Sequence, residues 1–444
     1  MQHVDSIIHA RWVIPVEAND QTTNDQVLEH HAIIIDNGRI KAIAPSDEAR
    51  QQFQSDDIVE LEEHALIPGL INAHTHVAMN LFRGMSDDLP LMTWLNDHIW
   101  PAEKKWISSE FVHDGSMLAI AEMLRGGTTC FNDMYFFPDI TARVALSAGM
   151  RCSIGLITID FPTVWAQNAD EYLSKGVAVH DEFKNESLIS TAFAPHAPYT
   201  VSDEALAKIR TLADEMDIPI HMHIHETSHE VDQAFSDSGK RPLQRLHELG
   251  LLSPRLLAVH MTQLTDQEIT LCAEQGVHII HCPESNLKLA SGFCPVTRLL
   301  DAGANIALGT DSAASNNDLD MFGEMRTAAL LAKGVAGDAS ALPAAQALYC
   351  ATMGGAKALA MDNEIGSLTV GKHADITAVN LSAIETQPVY DPISHLVYCG
   401  SSHQVSNVWV NGKRLLNQGK LTQLDIGAIQ QRCNIWRERL LEKP

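Results

Sequence analysis

The sequence predicts an α/β fold: a (β/α)8 TIM-type barrel carrying a small β-sandwich domain built from both chain ends. Three observations lead there. Short apolar strands alternate with helical patterns through the middle of the chain, the signature of βα units around a parallel sheet. Eight strand ends fall near His76, Met134, Ile159, Pro195, His225, Met261, Cys282 and Asp311, spread over about 250 residues, the size of such a barrel. The two chain ends share a β texture that the middle lacks.

The 444 residues suit a barrel plus a smaller domain. The expected division is 1–62 for the first part of the small domain and 63–362 for the barrel. Residues 363–444 then supply its second part and a terminal helix. Within the first part, Ala32-Ile33-Ile34-Ile35-Asp36 leads through Asn37-Gly38 into Arg39-Ile40, a strong hairpin signal. The stretches 366–376 and Val408-Trp409-Val410-Asn411-Gly412-Lys413 repeat that texture, so the ends pair into one unit. An amphipathic helix at about 426–441 closes the chain. An open doubly wound sheet is the structural rival, but no G-x-G-x-x-G turn follows any strand.

Bulk properties narrow the function. A hydrophobic content of 45% with 20% charged residues reads as globular. The formal net charge of −25 argues against a nucleic-acid partner, which needs a basic footprint, and gives no help to binding an anionic membrane. No basic segment leads into an apolar stretch, so no signal peptide is expected. Nor does any apolar run approach the roughly 20 residues of a membrane span. The eight cysteines are scattered without C-x-x-C pairs and read as reduced thiols, which points to the cytoplasm. The oligomeric state, a homo-oligomer included, stays open.

The chemistry sits at the strand ends, where a barrel gathers its working residues. Strand one ends in His74-Thr75-His76, and positions i and i+2 of a strand point the same way. Strand five carries His221, His223 and His225 on one face in successive layers; by pleat alone His223 and His225 serve equally as ligands. Strand six ends in His260, strand seven carries His281, and strand eight ends in Asp311. A single strand-end histidine is most often a satisfied polar residue. Imidazoles from strands one, five and six facing a carboxylate would crowd one cavity with unpaired polar groups, and a divalent ion accepting their lone pairs removes that problem.

These residues resemble the amidohydrolase superfamily, through His74, His76, His223, His260 and Asp311. Further segments resemble the 5'-methylthioadenosine/S-adenosylhomocysteine deaminase family: Asp87-Asp88-Leu89-Pro90-Leu91, Trp100-Pro101-Ala102-Glu103, Asp133-Met134-Tyr135-Phe136, Ala194-Pro195-His196-Ala197-Pro198-Tyr199, His223-Ile224-His225-Glu226-Thr227, Ser285-Asn286-Leu287-Lys288-Leu289, and 309–317. The match spans nearly the whole chain. It implies one divalent metal ion, zinc suiting the N/O ligand set, held by His74, His76, His223 and Asp311. Two-metal members use a lysine at the end of strand four; none stands in 189–196 here.

The resemblance further implies hydrolytic deamination of a purine nucleoside. Asp311 handles the protons of water, Glu226 protonates the ring nitrogen, and His260 bonds the attacking oxygen. Glu103 is expected to hold the ribose hydroxyls, as a carboxylate suits a vicinal diol, and His196 to contact the nucleoside. His281 is expected to support the site from behind. The third strand end offers no cation for an amino-acid carboxylate, which favours 5'-methylthioadenosine over S-adenosylhomocysteine or adenosine. Segment 81–100, rich in Leu, Met and Trp, suits an apolar wall for a thioether tail, packing or a subunit contact. Rival readings are a guanine deaminase or s-triazine hydrolase with the same metal chemistry and, more remotely, a metal-free scaffold relative.

Overall fold

In the computed structural model, which describes residues 1–19, 22–23 and 27–441, the hairpin forms where Asn37-Gly38 marks it. Strands β1 (Ser6–Val13), β2 (Leu28–Asp36) and β3 (Arg39–Pro45) pair antiparallel in that order. Asn37 and Gly38 both take positive φ, 52° and 74°, the conformation a two-residue turn between twisted strands requires. Strand β4 (Ile58–Pro68) lies parallel to the other side of β1.

The barrel follows. Its strands are β5 (Leu70–Thr75), β6 (Thr128–Tyr135), β7 (Arg151–Thr158), β8 (Ile189–Pro195), β9 (Ile220–Ile224), β10 (Leu256–His260), β11 (His278–His281) and β12 (Ile306–Leu308). Each pairs parallel with its neighbour in sequence order. A parallel bridge between Thr75 and Asp311 joins the last strand end to the first, and Asp311 N donates to His74 O at 3.0 Å. The eightfold barrel is thereby closed. Gly309 lets the seam form, because a Cβ there would sit 2.7 Å from His74 N.

The chain then returns to the small unit with β13 (Ile376–Asn380), β14 (Val405–Val410), β15 (Lys413–Asn417) and β16 (Lys420–Leu421). Strand β13 pairs antiparallel with β4, so both chain ends share one continuous sheet in the order β16-β15-β14-β13-β4-β1-β2-β3. That sheet folds over itself. Ala374 N donates to Gly38 O at 2.9 Å and Gly412 N to Ala374 O at 3.0 Å, bringing the two hairpin turns together. Ile8, Ile33, Ile35, Leu66, Ile376 and Trp409 fill the space between the halves. The sandwich is therefore one bent sheet.

Two devices lock this unit to the barrel. The buried Arg151 of β7 donates from Nε to Asp375 Oδ2 at 2.8 Å and from Nη2 to Oδ1 at 3.3 Å; Asp375 also accepts from Asn411 N at 2.7 Å. The terminal helix Ile426–Leu441 lies along helix Ser109–Arg125, where Arg432 Nε and Trp436 Nε1 donate to Asp114 Oδ2 at 2.7 and 2.8 Å. Trp436 then packs edge-on against Phe111, which meets Phe82 behind the loop that follows β5. No helix among the described residues is long and apolar enough to cross a membrane.

Candidate metal centre and active site

Strand β5 delivers His74, and His76 follows its end. Strand β9 delivers His223, and Asp311 stands three residues beyond β12. His74 Nε2 lies 3.2 Å from His223 Nε2 and 3.4 Å from Asp311 Oδ1, which is 3.3 Å from His76 Nε2. His260 joins from β10: ligand atoms of His74, His223 and His260 lie within 4.8 Å of one another, as do those of His74, His76 and Asp311. All but His76, which is partly open to the pocket, are buried.

The far side of each ring fixes what faces the centre. His76 Nδ1 donates to Met134 O at 2.6 Å and His223 Nδ1 to His196 O at 2.8 Å, so each Nε2 presents a lone pair inward. His74 Nδ1 meets His221 Nε2 at 2.9 Å, and His221 Nδ1 lies 3.1 Å from Asn132 Nδ2. Burial pushes the His74 imidazole down to about 4, so it is neutral at pH 7. Inward lone pairs around a carboxylate oxygen repel one another unless a cation sits among them. This donor set fits a divalent ion of the zinc type.

His225 is not part of it. One residue past β9 the chain turns left-handed (φ 53°), and the ring goes instead to Gln263 O (3.0 Å) and Leu243 N (3.1 Å). The pleat ambiguity between His223 and His225 ends there. His260 (φ 73°) and Asp311 (φ 62°) share this uncommon backbone, which re-aims side chains at the barrel mouth.

Around the cluster lies a pocket. Glu226 lines it with Oε2 3.8 Å from His260 Nε2, and burial raises its carboxyl above the usual range. His196 lines it too, its ring centroid 5.0 Å from that of His223, its imidazole pushed down to about 3 by burial. Glu103 enters from helix Trp100–Trp106, accepting from Tyr135 OH at 2.7 Å; burial raises it to about 7. Met79, Leu91, Trp94, Leu95 and Ile99 form one wall, and Ile157 and Ile159 stand at the third strand end. Segment 81–100 thus gives Leu91, Trp94, Leu95 and Ile99 to the pocket wall and Leu81, Phe82 and Leu89 to an apolar cluster, and no lysine or arginine lines the pocket among the described residues.

His281 is buried close to His260, but its Nδ1 has no hydrogen-bond partner among the described residues. The hydrogen-bonded support comes from residues to which sequence reasoning gave no role. Ser285 and Ser315 donate to Asp311 Oδ2 at 2.7 and 3.0 Å, and His260 Nδ1 donates to Asn286 Oδ1 at 2.9 Å. Glu230 accepts from His225 N at 3.0 Å and Glu226 N at 2.7 Å, pinning the strand end that carries the acid. Glu230 had a readable signal, the Thr227-x-x-Glu230 spacing of a helix start. Ser285, Asn286 and Ser315 lie in segments that carry the family resemblance, but the sequence assigned them no role.

A family model described as the amidohydrolase family matches residues 65–415. The chain belongs to the amidohydrolase family. The 5-methylthioadenosine/S-adenosylhomocysteine deaminase of Saccharophagus degradans is 48% identical over 436 residues, covering 98% of this chain and 97% of that one. A solved structure described as an adenosine deaminase from Xanthomonas campestris with bound zinc has 53% identity, TM-score 0.97 and 99% coverage of both chains. The atrazine chlorohydrolase TrzN of Arthrobacter aurescens, 23% identical with TM-score 0.89 over 97% of this chain and 99% of that one, shares the fold. Among amidohydrolases, this chain has no lysine on β8 to bridge a second metal.

Proposed function

We propose that the chain hydrolytically deaminates an adenine nucleoside, foremost 5'-methylthioadenosine, to the 5'-methylthioinosine and ammonia, with S-adenosylhomocysteine and adenosine as lesser substrates. One observation carries this reading: a divalent-ion donor set, the buried Glu226 beside His260 and a second buried acid, Glu103, suited to a diol share one pocket. The names of the similar proteins support it. A zinc-type ion held by His74, His76, His223 and Asp311 would supply Lewis acidity, bringing the pKa of water toward neutrality.

The side chains account for the remainder. Asp311 takes a proton from water as its oxygen adds to the ring carbon bearing the amino group. Glu226, whose carboxyl burial raises above the usual range, acts as the acid that gives a proton to the adjacent ring nitrogen. His260 faces the attacking oxygen and favours the tetrahedral state. Asp311 then returns its proton to the amino group, which departs as ammonia; the added hydroxyl gives its remaining proton to Glu226 as it becomes the product carbonyl, so both acids regain their starting states. Glu103 holds the ribose diol, and the neutral His196 meets the nucleoside. The aliphatic and aromatic wall accommodates a methylthio group, whereas a zwitterionic amino-acid tail finds no counter-ion there. Unpaired cysteines and the acidic surface support a cytoplasmic enzyme without nucleic-acid or membrane partners.

The test is ammonia release by the zinc-loaded protein from 5'-methylthioadenosine, S-adenosylhomocysteine, adenosine and guanine. The expected order of kcat/KM places methylthioadenosine first and guanine last. Absence of ammonia from every adenine nucleoside overturns the reading.

A further inference from the structure

We infer that Tyr135 is a positioning residue for ribose recognition: it anchors the loop-borne Glu103 to the barrel wall and so sets selectivity for nucleosides bearing an intact diol. The inference rests on the deamination reading of the pocket. Its basis is the way the two residues are mounted. Glu103 sits on helix Trp100–Trp106, inside the long excursion between β5 and the helix Ser109–Arg125. Side chains on such excursions are less fixed than those on strands. Tyr135 is the last residue of β6, in register with Leu156 of β7 and only 5% exposed. Its hydroxyl donates to Glu103 Oε1 at 2.7 Å, joining the mobile-type element to the rigid one.

That bond also fixes which acceptor sites remain. A carboxylate offers about four lone-pair directions. The phenol takes one on Oε1, leaving Oε2 and the second Oε1 direction for two hydroxyls. A phenol bonded to a carboxylate is charge-assisted and strongest when the acid is ionised. Burial raises Glu103 to about 7 while the Tyr135 bond opposes the rise, so the phenol keeps more of the acid ionised near neutrality. Glu103 without it would turn in the pocket and carry its proton more of the time, and both changes weaken the grip on a diol. A nucleoside lacking the diol would not register either change.

The experiment compares wild type, Tyr135→Phe, Glu103→Gln and the double variant on 5'-methylthioadenosine and its 2',3'-dideoxy counterpart, with KM and kcat measured across pH 6 to 8.5. For Tyr135→Phe we expect KM for the ribonucleoside to rise about tenfold, equivalent to ~1.4 kcal/mol. Its kcat should hold, KM for the dideoxy compound should stay unchanged, and the ribonucleoside KM should worsen further toward acid pH. In the Glu103→Gln background the tyrosine change should add nothing. Equal KM increases on both substrates, or an additive loss in the double variant, would overturn the inference while leaving the deamination reading intact. If wild type releases ammonia from neither substrate, the deamination reading falls and takes this inference with it.

Discussion

At the scale of single residues, the site is governed by what burial does to acids and imidazoles. Glu103 lines the pocket and changes charge near neutrality, since burial raises it to about 7; burial raises Glu230, behind Glu226, to about 7 as well. The ionised form of Glu103 accepts two hydroxyl protons, and its protonated form loses acceptor capacity. The sign follows: kcat/KM for a ribonucleoside should fall as pH drops through about 7 and level off above it. Glu103→Gln should flatten that limb and cost roughly tenfold or more on ribonucleosides, as expected for a lost hydrogen bond to a charged group, while sparing a free base. An unaltered pH limb in the variant would assign the titration elsewhere. His74, His76, His223, His260 and Asp311 were legible from sequence because strand alternation and barrel order place them. The choice of His223 over His225 came from the family resemblance and not from the pleat, since it depends on a left-handed turn at His225 that no periodicity announces. Ser285, Ser315 and Asn286 stood in segments that resemble the family, yet their roles were not legible, because these come only from what the side chains meet.

At the scale of elements, the decisive contact is the seam between β5 and β12. These strands are remote in sequence and adjacent in space, and they carry His74, His76 and Asp311. Gly309→Ala would thrust a methyl to 2.7 Å from His74 N and 2.8 Å from His74 Cβ. Main-chain atoms cannot step aside as a flexible side chain does, so the strand carrying the ligand must shift. We expect zinc retention on dialysis against a chelator to drop by an order of magnitude or more, in line with the sensitivity of metal sites to ligand orientation, and activity to drop with it. Full zinc content in the variant would show that the seam tolerates the displacement. The strand ends were predicted to within three residues because apolar runs stop where polar ligands begin. The terminal helix Ile426–Leu441 was found by its amphipathic pattern, but its contact with Asp114 and Phe111 is a tertiary fact without sequence periodicity.

Across the whole molecule, stability and catalysis are separable. Arg151 and Asp375 tie the barrel to the small unit with both side chains buried, 5% and 2% exposed, and neither lines the pocket. Asp375→Ala strands a guanidinium away from water, a change that costs about 3–5 kcal/mol in comparable buried pairs. The expected outcome is a clearly lower urea midpoint with kcat/KM per folded molecule preserved. A midpoint within error of wild type would mean water reaches Arg151. The sequence indicated that the two chain ends meet, through matching β texture. It did not indicate that they form one bent sheet, because which strand lies beside which is decided by pairing across the chain rather than by pattern within it.

That pairing bears on how the polypeptide matures during synthesis. Strand β4 finds β1 early, but its opposite edge bonds to β13, with Pro68 beside Ile376, and everything between must emerge from the ribosome first. Until then a long strand with an apolar end keeps a row of free amides and carbonyls, a template for stray association. Chains that end before β13 are therefore expected to aggregate rather than fold into a barrel, which light scattering of a truncated chain would check.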